Sequence, residues 1–120
     1  MSQNLASLHD IAMSSLSEFI AHGQDLLMPL GGITTGRLFG GHGFKRSGRQ
    51  FAMAMGDTLY FRVDDTTRPA YERHGMGPFS YSTRKGVVLV RTYAAVPVEW
   101  LEDREQFLAA ASRALSVAGG

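Results

Sequence analysis

Residues 43–63 read GFKRSGRQFAMAMGDTLYFRV, and this stretch decides the fold of the chain. The pairs Ser47-Gly48 and Gly56-Asp57 separate runs that are rich in apolar and aromatic residues. A glycine-containing pair between two such runs is typical of a two-residue β-hairpin turn. The stretch therefore predicts three antiparallel strands, over residues 43–46, 49–55 and 58–63, that are joined as a meander.

Further strands are predicted on both sides of this meander. Residues 33–39 indicate a first strand that ends at Gly40 and Gly41. Residues 79–83 and 87–94 indicate a second hairpin around the turn Arg84-Lys85-Gly86. Because residues 87–90 are all apolar and mostly β-branched, they favour a central strand that is covered on both faces.

Three helices are predicted from apolar spacing and capping residues. Apolar side chains three and four positions apart extend from Leu8 to Leu30, where Pro29 and two glycines mark the end of the helix. A short middle helix is expected between Thr67, as its N-cap, and Gly75. The last helix follows an Asp103-to-Gln106 capping spacing, and its apolar stripe is Phe107, Leu108, Ala111 and Leu115.

Length and composition indicate one globular unit. The chain has 120 residues, of which 44% are hydrophobic and 19% charged, so residues 1–120 are interpreted as a single domain. Its predicted class is α+β, an antiparallel β-sheet meander flanked by N-terminal and C-terminal helices. No cysteine is present, which excludes disulfides and cysteine-based zinc sites. Since the sequence contains neither a signal peptide nor a long apolar run, we expect a cytoplasmic location and no membrane partner.

The two turns also predict which side chains share a face of the sheet. Two-residue turns place Phe44 opposite Phe51, and Met53 opposite Tyr60. Side chains alternate across a strand, so these four residues are expected on one face together with Arg62. The opposite face carries the small and branched side chains that suit a packed helix, which are Ala52, Ala54, Leu59, Phe61 and Val63.

The aromatic face admits two interpretations. It is either a second covered face with Arg62 reaching out at its edge, or an exposed surface that binds a partner protein or stacks bases. The chain lacks the sequence run that is typical of an RNA-recognition sheet, which argues against base stacking. The candidate interaction surface consists of Arg37, Phe44, Phe51, Tyr60 and Arg62.

No catalytic, metal or cofactor site is predicted. The four histidines have no metal-ligand spacing. Asp64 and Asp65 stand where a strand becomes a helix, so we interpret them as capping residues, although paired carboxylates also occur in catalysis. The net charge of +1 makes nucleic-acid binding by the domain alone an unfavoured alternative. The basic residues that would serve it are Arg37, Lys45, Arg46, Arg49 and Arg62.

Three runs of sequence, taken in order, resemble a known family. They are RLFGGHGF at 37–44, then FA at 51–52 with DTLYFRVDD at 57–65, and RPAYE at 68–72 followed by Gly75 and PFSY at 78–81. Their order and spacing resemble the N-terminal domain of the TfoX/Sxy family of bacterial competence regulators. The resemblance covers nearly the whole chain.

The resemblance implies an α+β domain with an antiparallel sheet. It also implies a role in transcriptional regulation beside an activator of the cyclic-AMP receptor type, and it implies no enzymatic activity. Full-length regulators of this family carry a second, helical domain that the resemblance does not cover. The residues that match the family pattern have no chemical role assigned by it; they are Arg37, Phe39, Gly40, Gly41, Asp64, Pro69 and Phe79.

These observations predict a non-catalytic regulatory or protein-interaction domain. Its expected partner is a protein, with a transcription activator as the candidate, and the sequence leaves a homodimer open. One alternative is a nucleic-acid-binding domain that uses a basic sheet edge. A further alternative is an enzyme or small-ligand binder with Asp64, Asp65 and Tyr81 beside a cleft.

Overall fold

The computed structural model describes residues 18–38 and 40–119, and the fold below is that of these residues. Six antiparallel strands form one sheet in the order β1-β2-β3-β4-β6-β5. The strands are β1 (Ile33–Leu38), β2 (Gly41–Arg46), β3 (Arg49–Met55), β4 (Thr58–Arg62), β5 (Pro78–Thr83) and β6 (Gly86–Ala95). The helices are α1 (residues 18–27), α2 (Arg68–Arg73), α3 (Val98–Leu101) and α4 (Arg104–Val117). The predicted α+β fold with an antiparallel meander is confirmed.

The two predicted hairpin turns of the meander are present, and their glycines have positive φ. Ser47 and Gly48 both have positive φ, 54° and 78°, as in the hairpin turn whose twist matches that of the strands. Gly56 opens the next turn with φ 62°. The chain therefore reverses twice within short distances, and β2, β3 and β4 lie side by side.

The predicted ends of the first and last helices are present, whereas Thr67 precedes α2 without a side-chain capping bond. A 3-10 helix, Met28–Leu30, follows α1, and Gly31 then leaves the helix with φ 75°. Asp103 accepts hydrogen bonds from the backbone N–H groups of Glu105 and Gln106 and so caps α4. The part of the predicted first helix before residue 18, and Phe39 at the predicted end of β1, lie outside the described residues.

One irregularity changes the predicted register of β2 and β3. Next to the turn the ladder is as predicted, but Phe44 lies opposite Ala52 and not opposite Phe51. Phe51 is the extra residue of a β-bulge, and both Phe51 and Ala52 belong to the buried core. The predicted pairing of Phe44 with Phe51 is therefore wrong, whereas that of Met53 with Tyr60 is confirmed.

The core lies between one face of the sheet, the helix-side face, and the helices. Phe61 packs its ring 5.3 Å from that of Phe107 in α4, and Tyr71 of α2 contacts Trp100 of α3 at 4.9 Å. Burial raises the pKa of the Tyr71 hydroxyl above its ordinary value. The remaining core residues are Leu27, Phe44, Phe51, Ala52, Ala54, Leu59, Val63, Ala94, Val96, Ala110, Ala111, Ala114 and Leu115.

The hairpin of β5 and β6 departs from the prediction. Residues 87–90, in the first half of β6, are not covered on both faces. Val87 remains 65% exposed and Leu89 52% exposed. Between Pro78 and Phe79 the register shifts, and residues 91–93 of β6 have no partner on β5. The far half of β6 pairs with β4 along its other edge, and Ala94 has a partner on both sides, Phe61 on β4 and Pro78 on β5.

Candidate functional site

The face of the sheet opposite the helices carries an apolar groove of about 470 Å³. We call this face the open face, because only strand residues line its groove. The lining side chains are Leu38, Gln50, Met53, Met55, Phe79, Tyr81, Val90 and Tyr93. They come from β1, β3, β5 and β6, so the groove extends across the sheet.

The groove shows that the sheet is curved. Strands lie about 4.8 Å apart, so the two edge strands of a flat six-stranded sheet would be roughly 24 Å apart. Leu38 belongs to one edge strand, and Phe79 and Tyr81 belong to the other, yet all three line a single groove. The edges must therefore bend toward each other, which makes the open face concave.

Phe79 and Tyr81 form an aromatic part of the groove, and Tyr60 lies next to Phe79 outside the groove lining. Tyr60 and Phe79 contact edge-to-face with their ring centroids 5.2 Å apart, and Tyr81 follows at 6.1 Å from Phe79. β6 lies between the strands that carry Tyr60 and Phe79. The residue of β6 opposite Tyr60 is Ala95, whose small side chain leaves room for the two rings to meet.

Polar groups lie at one end of the groove. The Gln50 amide donates a hydrogen bond to the Tyr93 hydroxyl at 3.1 Å, and the Arg62 guanidinium lies 5.7 Å from the centre of the Tyr93 ring. Arg62 also donates to the backbone carbonyl of Gln50 at 3.5 Å. These contacts place a cation and an amide beside an otherwise apolar surface.

The residues of the predicted interaction surface do not all lie on one face of the structure. Tyr60 and Arg62 lie on the open face as predicted. Phe44 and Phe51 have no exposed area and belong to the helix-side core, so they cannot contribute to a surface. This is a correction, and its cause is the bulge at Phe51. Arg37 is exposed on the edge strand β1.

Several groove residues were not assigned to a site from the sequence. Phe79 and Tyr93 reach the open face through the pairing of β6 with β4 and of β5 with β6, and Gln50 lies there on β3. Tyr81, predicted only beside a cleft with Asp64 and Asp65, lies on the open face as well. Residues 63–77 separate β4 from β5, so no tight turn predicts that the β5–β6 hairpin pairs with β4. The alternation of aromatic residues at Phe79 and Tyr81 was the available signal.

The predicted basic residues do not converge on one surface. Arg46 donates to the carbonyl of Leu30 at 2.9 Å, and Arg49 donates to the carbonyl of Gly119. Both carbonyls lie at helix C-terminal ends, where a cation is electrostatically favourable. Arg62 instead lies on the open face, and Lys45 is exposed on β2.

Asp64 and Asp65 have structural contacts. The Asp64 carboxylate accepts hydrogen bonds from the backbone N–H groups of Thr67 at 2.9 Å and of Thr66 at 3.0 Å. The bond from Thr67 is the main reason that the pKa of Asp64 lies below its usual value. Asp65 forms an ion pair with Arg68 at 2.7 Å. Neither aspartate lines the groove to which Tyr81 contributes.

Arg68 links α2 to the sheet. Its guanidinium donates twice to the carbonyl of Arg91, at 3.1 and 3.2 Å. Arg91 is one of the residues that the register shift leaves without a partner on β5. The side chain of Arg68 therefore satisfies an acceptor that the irregular strand leaves free.

Within 18–38 and 40–119, no three histidine, cysteine or acidic side chains are grouped so that they could hold a metal ion. Of the helices in these ranges, none combines the length and the apolar character needed to cross a bilayer.

A comparison with protein families identifies the domain. The family model of the TfoX N-terminal domain matches residues 25–118, which is most of the chain. The chain belongs to the TfoX N-terminal domain family. This is the family that the sequence runs resemble, and it is not a known family of enzymes. No curated protein matches the chain.

Several residues of the TfoX pattern are explained by the backbone conformation that they allow in this domain. Gly40 has φ 76° in the turn between β1 and β2. Gly41 lies against the Ala54 carbonyl and the Met55 sulfur with no space for a side chain. Pro69 occupies the first turn of α2, where the missing N–H costs no hydrogen bond. Phe79, which also belongs to the pattern, lines the groove.

Proposed function

We propose that this TfoX N-terminal domain is a non-catalytic protein-interaction module that acts in transcriptional regulation in the cytoplasm. The observation that supports this proposal is the concave apolar groove on the open face. A partner protein inserts an apolar segment there, and an activator of the cyclic-AMP receptor type is the candidate partner.

The chemistry of the groove favours a protein segment over a polyanion. Met55 supplies a flexible apolar contact, and Phe79 and Tyr81 supply aromatic surface that is common at protein interfaces. Of the cations described above, Arg62 lies beside this face and Lys45 lies on it opposite Gln50, and these two do not form a row. A nucleic-acid surface would instead need several basic side chains that follow the phosphates.

The proposal is tested by a binding titration between the domain and a purified cyclic-AMP receptor-type activator from the same organism. Met55→Glu introduces a carboxylate into the groove, where an apolar segment would desolvate it. We expect this variant to bind roughly tenfold or more weakly than the wild type, since an unpaired charge at an interface costs more than about 1.4 kcal/mol.

Met28→Glu is the matched control. Met28 is exposed in the 3-10 helix after α1 and does not line the groove, so this variant should bind as the wild type does. Circular dichroism verifies that both variants fold. The proposal fails if the wild type does not bind the activator, or if Met55→Glu and Met28→Glu bind equally well.

A further inference from the structure

The sheet has two edge strands with different character. β1 contains a charged residue, Arg37, and its Thr35 hydroxyl accepts a hydrogen bond from Gln24 of α1. β5, by contrast, reads PFSYST and has no charge along its length. Natural edge strands are usually protected from pairing by charges, prolines or bulges. β5 has only Pro78, at its first position.

The hairpin of β5 and β6 is apolar on both faces. Within the described residues six large apolar side chains are exposed, and four of them belong to this hairpin. Val87 and Leu89 are on the helix-side face, while Tyr81 and Val88 are on the open face and are 48% and 37% exposed. Such an extended apolar edge is typical of a surface that another strand covers.

The hairpin geometry determines which backbone groups of β5 are free. Thr83 and Gly86 flank the two-residue turn, so they form a hydrogen-bonded pair. Hydrogen-bonded and non-hydrogen-bonded pairs alternate along an antiparallel ladder. The N–H and C=O groups of Ser80 and Ser82 therefore point away from β6, toward the free edge.

We propose that two copies of this domain pair through β5, antiparallel about a two-fold axis at Tyr81. In this register Ser80 of each copy lies opposite Ser82 of the other, and their free N–H and C=O groups form four hydrogen bonds. Tyr81 faces Tyr81 of the second copy in a non-hydrogen-bonded pair, where side chains approach closely. The two six-stranded sheets become one continuous sheet.

A second copy fits this edge for two reasons. A two-fold axis places each residue opposite a residue of the same strand, so any charge on β5 would meet a like charge nearby; β5 has none. On the helix-side face the row across the interface is Leu89, Ser80, Ser82 and Val87, with the last two from the second copy. Because the serine side chains are small, the exposed side chains of Val87 and Leu89 can pack over them.

The first test measures molar mass in solution by light scattering on a gel-filtration column. We expect the wild-type chain to elute as a dimer. Ser80→Pro removes an N–H that points to the free edge but none that bonds to β6, so this variant should be a monomer with an unchanged circular dichroism spectrum. Thr35→Pro, at the β1 edge, is the matched control and should remain a dimer.

The second test reports the register. The chain has no cysteine, so a single introduced thiol has no other partner. In the proposed register the Cα atoms at position 81 are about 4.5 Å apart, within disulfide range, whereas those at position 83 are roughly 14 Å apart. Tyr81→Cys should therefore form a covalent dimer under mild oxidation, and Thr83→Cys should not.

The proposal is overturned if the wild-type chain is monomeric at all concentrations. This includes the case in which a foreign peptide strand, and not a second copy, binds the β5 edge. A dimer that persists in Ser80→Pro, or equal cross-linking of both cysteine variants, also overturns it. The groove variant Met55→Glu should leave the dimer intact, so failure of the dimer and failure of activator binding are separate results.

Discussion

Gly41 illustrates how a single residue can be required by the neighbouring strand. A Cβ atom at this position would overlap the carbonyl oxygen of Ala54, which belongs to the paired backbone and cannot move away. We expect Gly41→Ala to lower the free energy of unfolding by about 1–3 kcal/mol in urea denaturation. Gly36→Ala is the control, because nothing lies within 4 Å of its Cβ position. Equal effects of the two substitutions would contradict this interpretation.

Asp64 makes a contribution to stability that depends on pH. Its pKa in the folded domain is lowered, mainly by the backbone N–H of Thr67, so the folded state favours the carboxylate. The contribution is fully present above the pKa of the unfolded chain and is lost as the pH falls through the folded pKa. The difference in urea midpoint between wild type and Asp64→Ala should therefore be larger at neutral pH than in acid. A difference that does not change with pH would refute this.

At the scale of elements, the bulge in β3 decides where the largest side chains lie. Phe51 is in the core because the bulge gives it the same face as Ala52. Phe51→Ala should cost about 3–5 kcal/mol of unfolding free energy, as for other buried aromatic residues. Tyr60→Ala, on the open face, should cost clearly less in the same urea titration. The reverse order would mean that Phe51 faces outward.

Elements differ in how well local sequence predicts them. The β2–β3 and β3–β4 turns and the cap of α4 depend on residues within a few positions, and each was predicted correctly. α3 was missed, because four residues are too few to show a helical period. The exposure of Val87 and Leu89 was also missed, since an apolar run carries no information about what covers it.

At the scale of the whole molecule, the described residues build one core on one side of the sheet. Trp100, the only tryptophan of the chain, is buried there against Tyr71. If the chain is a single domain, its fluorescence reports the same transition as the far-ultraviolet circular dichroism of the sheet and helices. We expect coincident midpoints in urea. Two separate midpoints would contradict the prediction of one cooperative domain.

The candidate site depends on contacts between distant parts of the chain. Tyr60 and Arg62 could be assigned to a face from the turn next to β4, but the groove also needs side chains from β1, β5 and β6. The curvature that brings the two sheet edges around one groove is a property of the whole sheet. It could not be read from any one segment.

The sequence by itself determined the β2–β3 and β3–β4 turns, the cap of α4, the α+β class and the TfoX family, because each depends on residues that are neighbours in the chain or on ordered local runs. Only the tertiary structure decided the bulge that buries Phe51, the pairing of β6 with β4 and the face that stays uncovered. These features follow from packing between segments far apart in sequence, where one extra residue in a strand exchanges the two faces of a sheet.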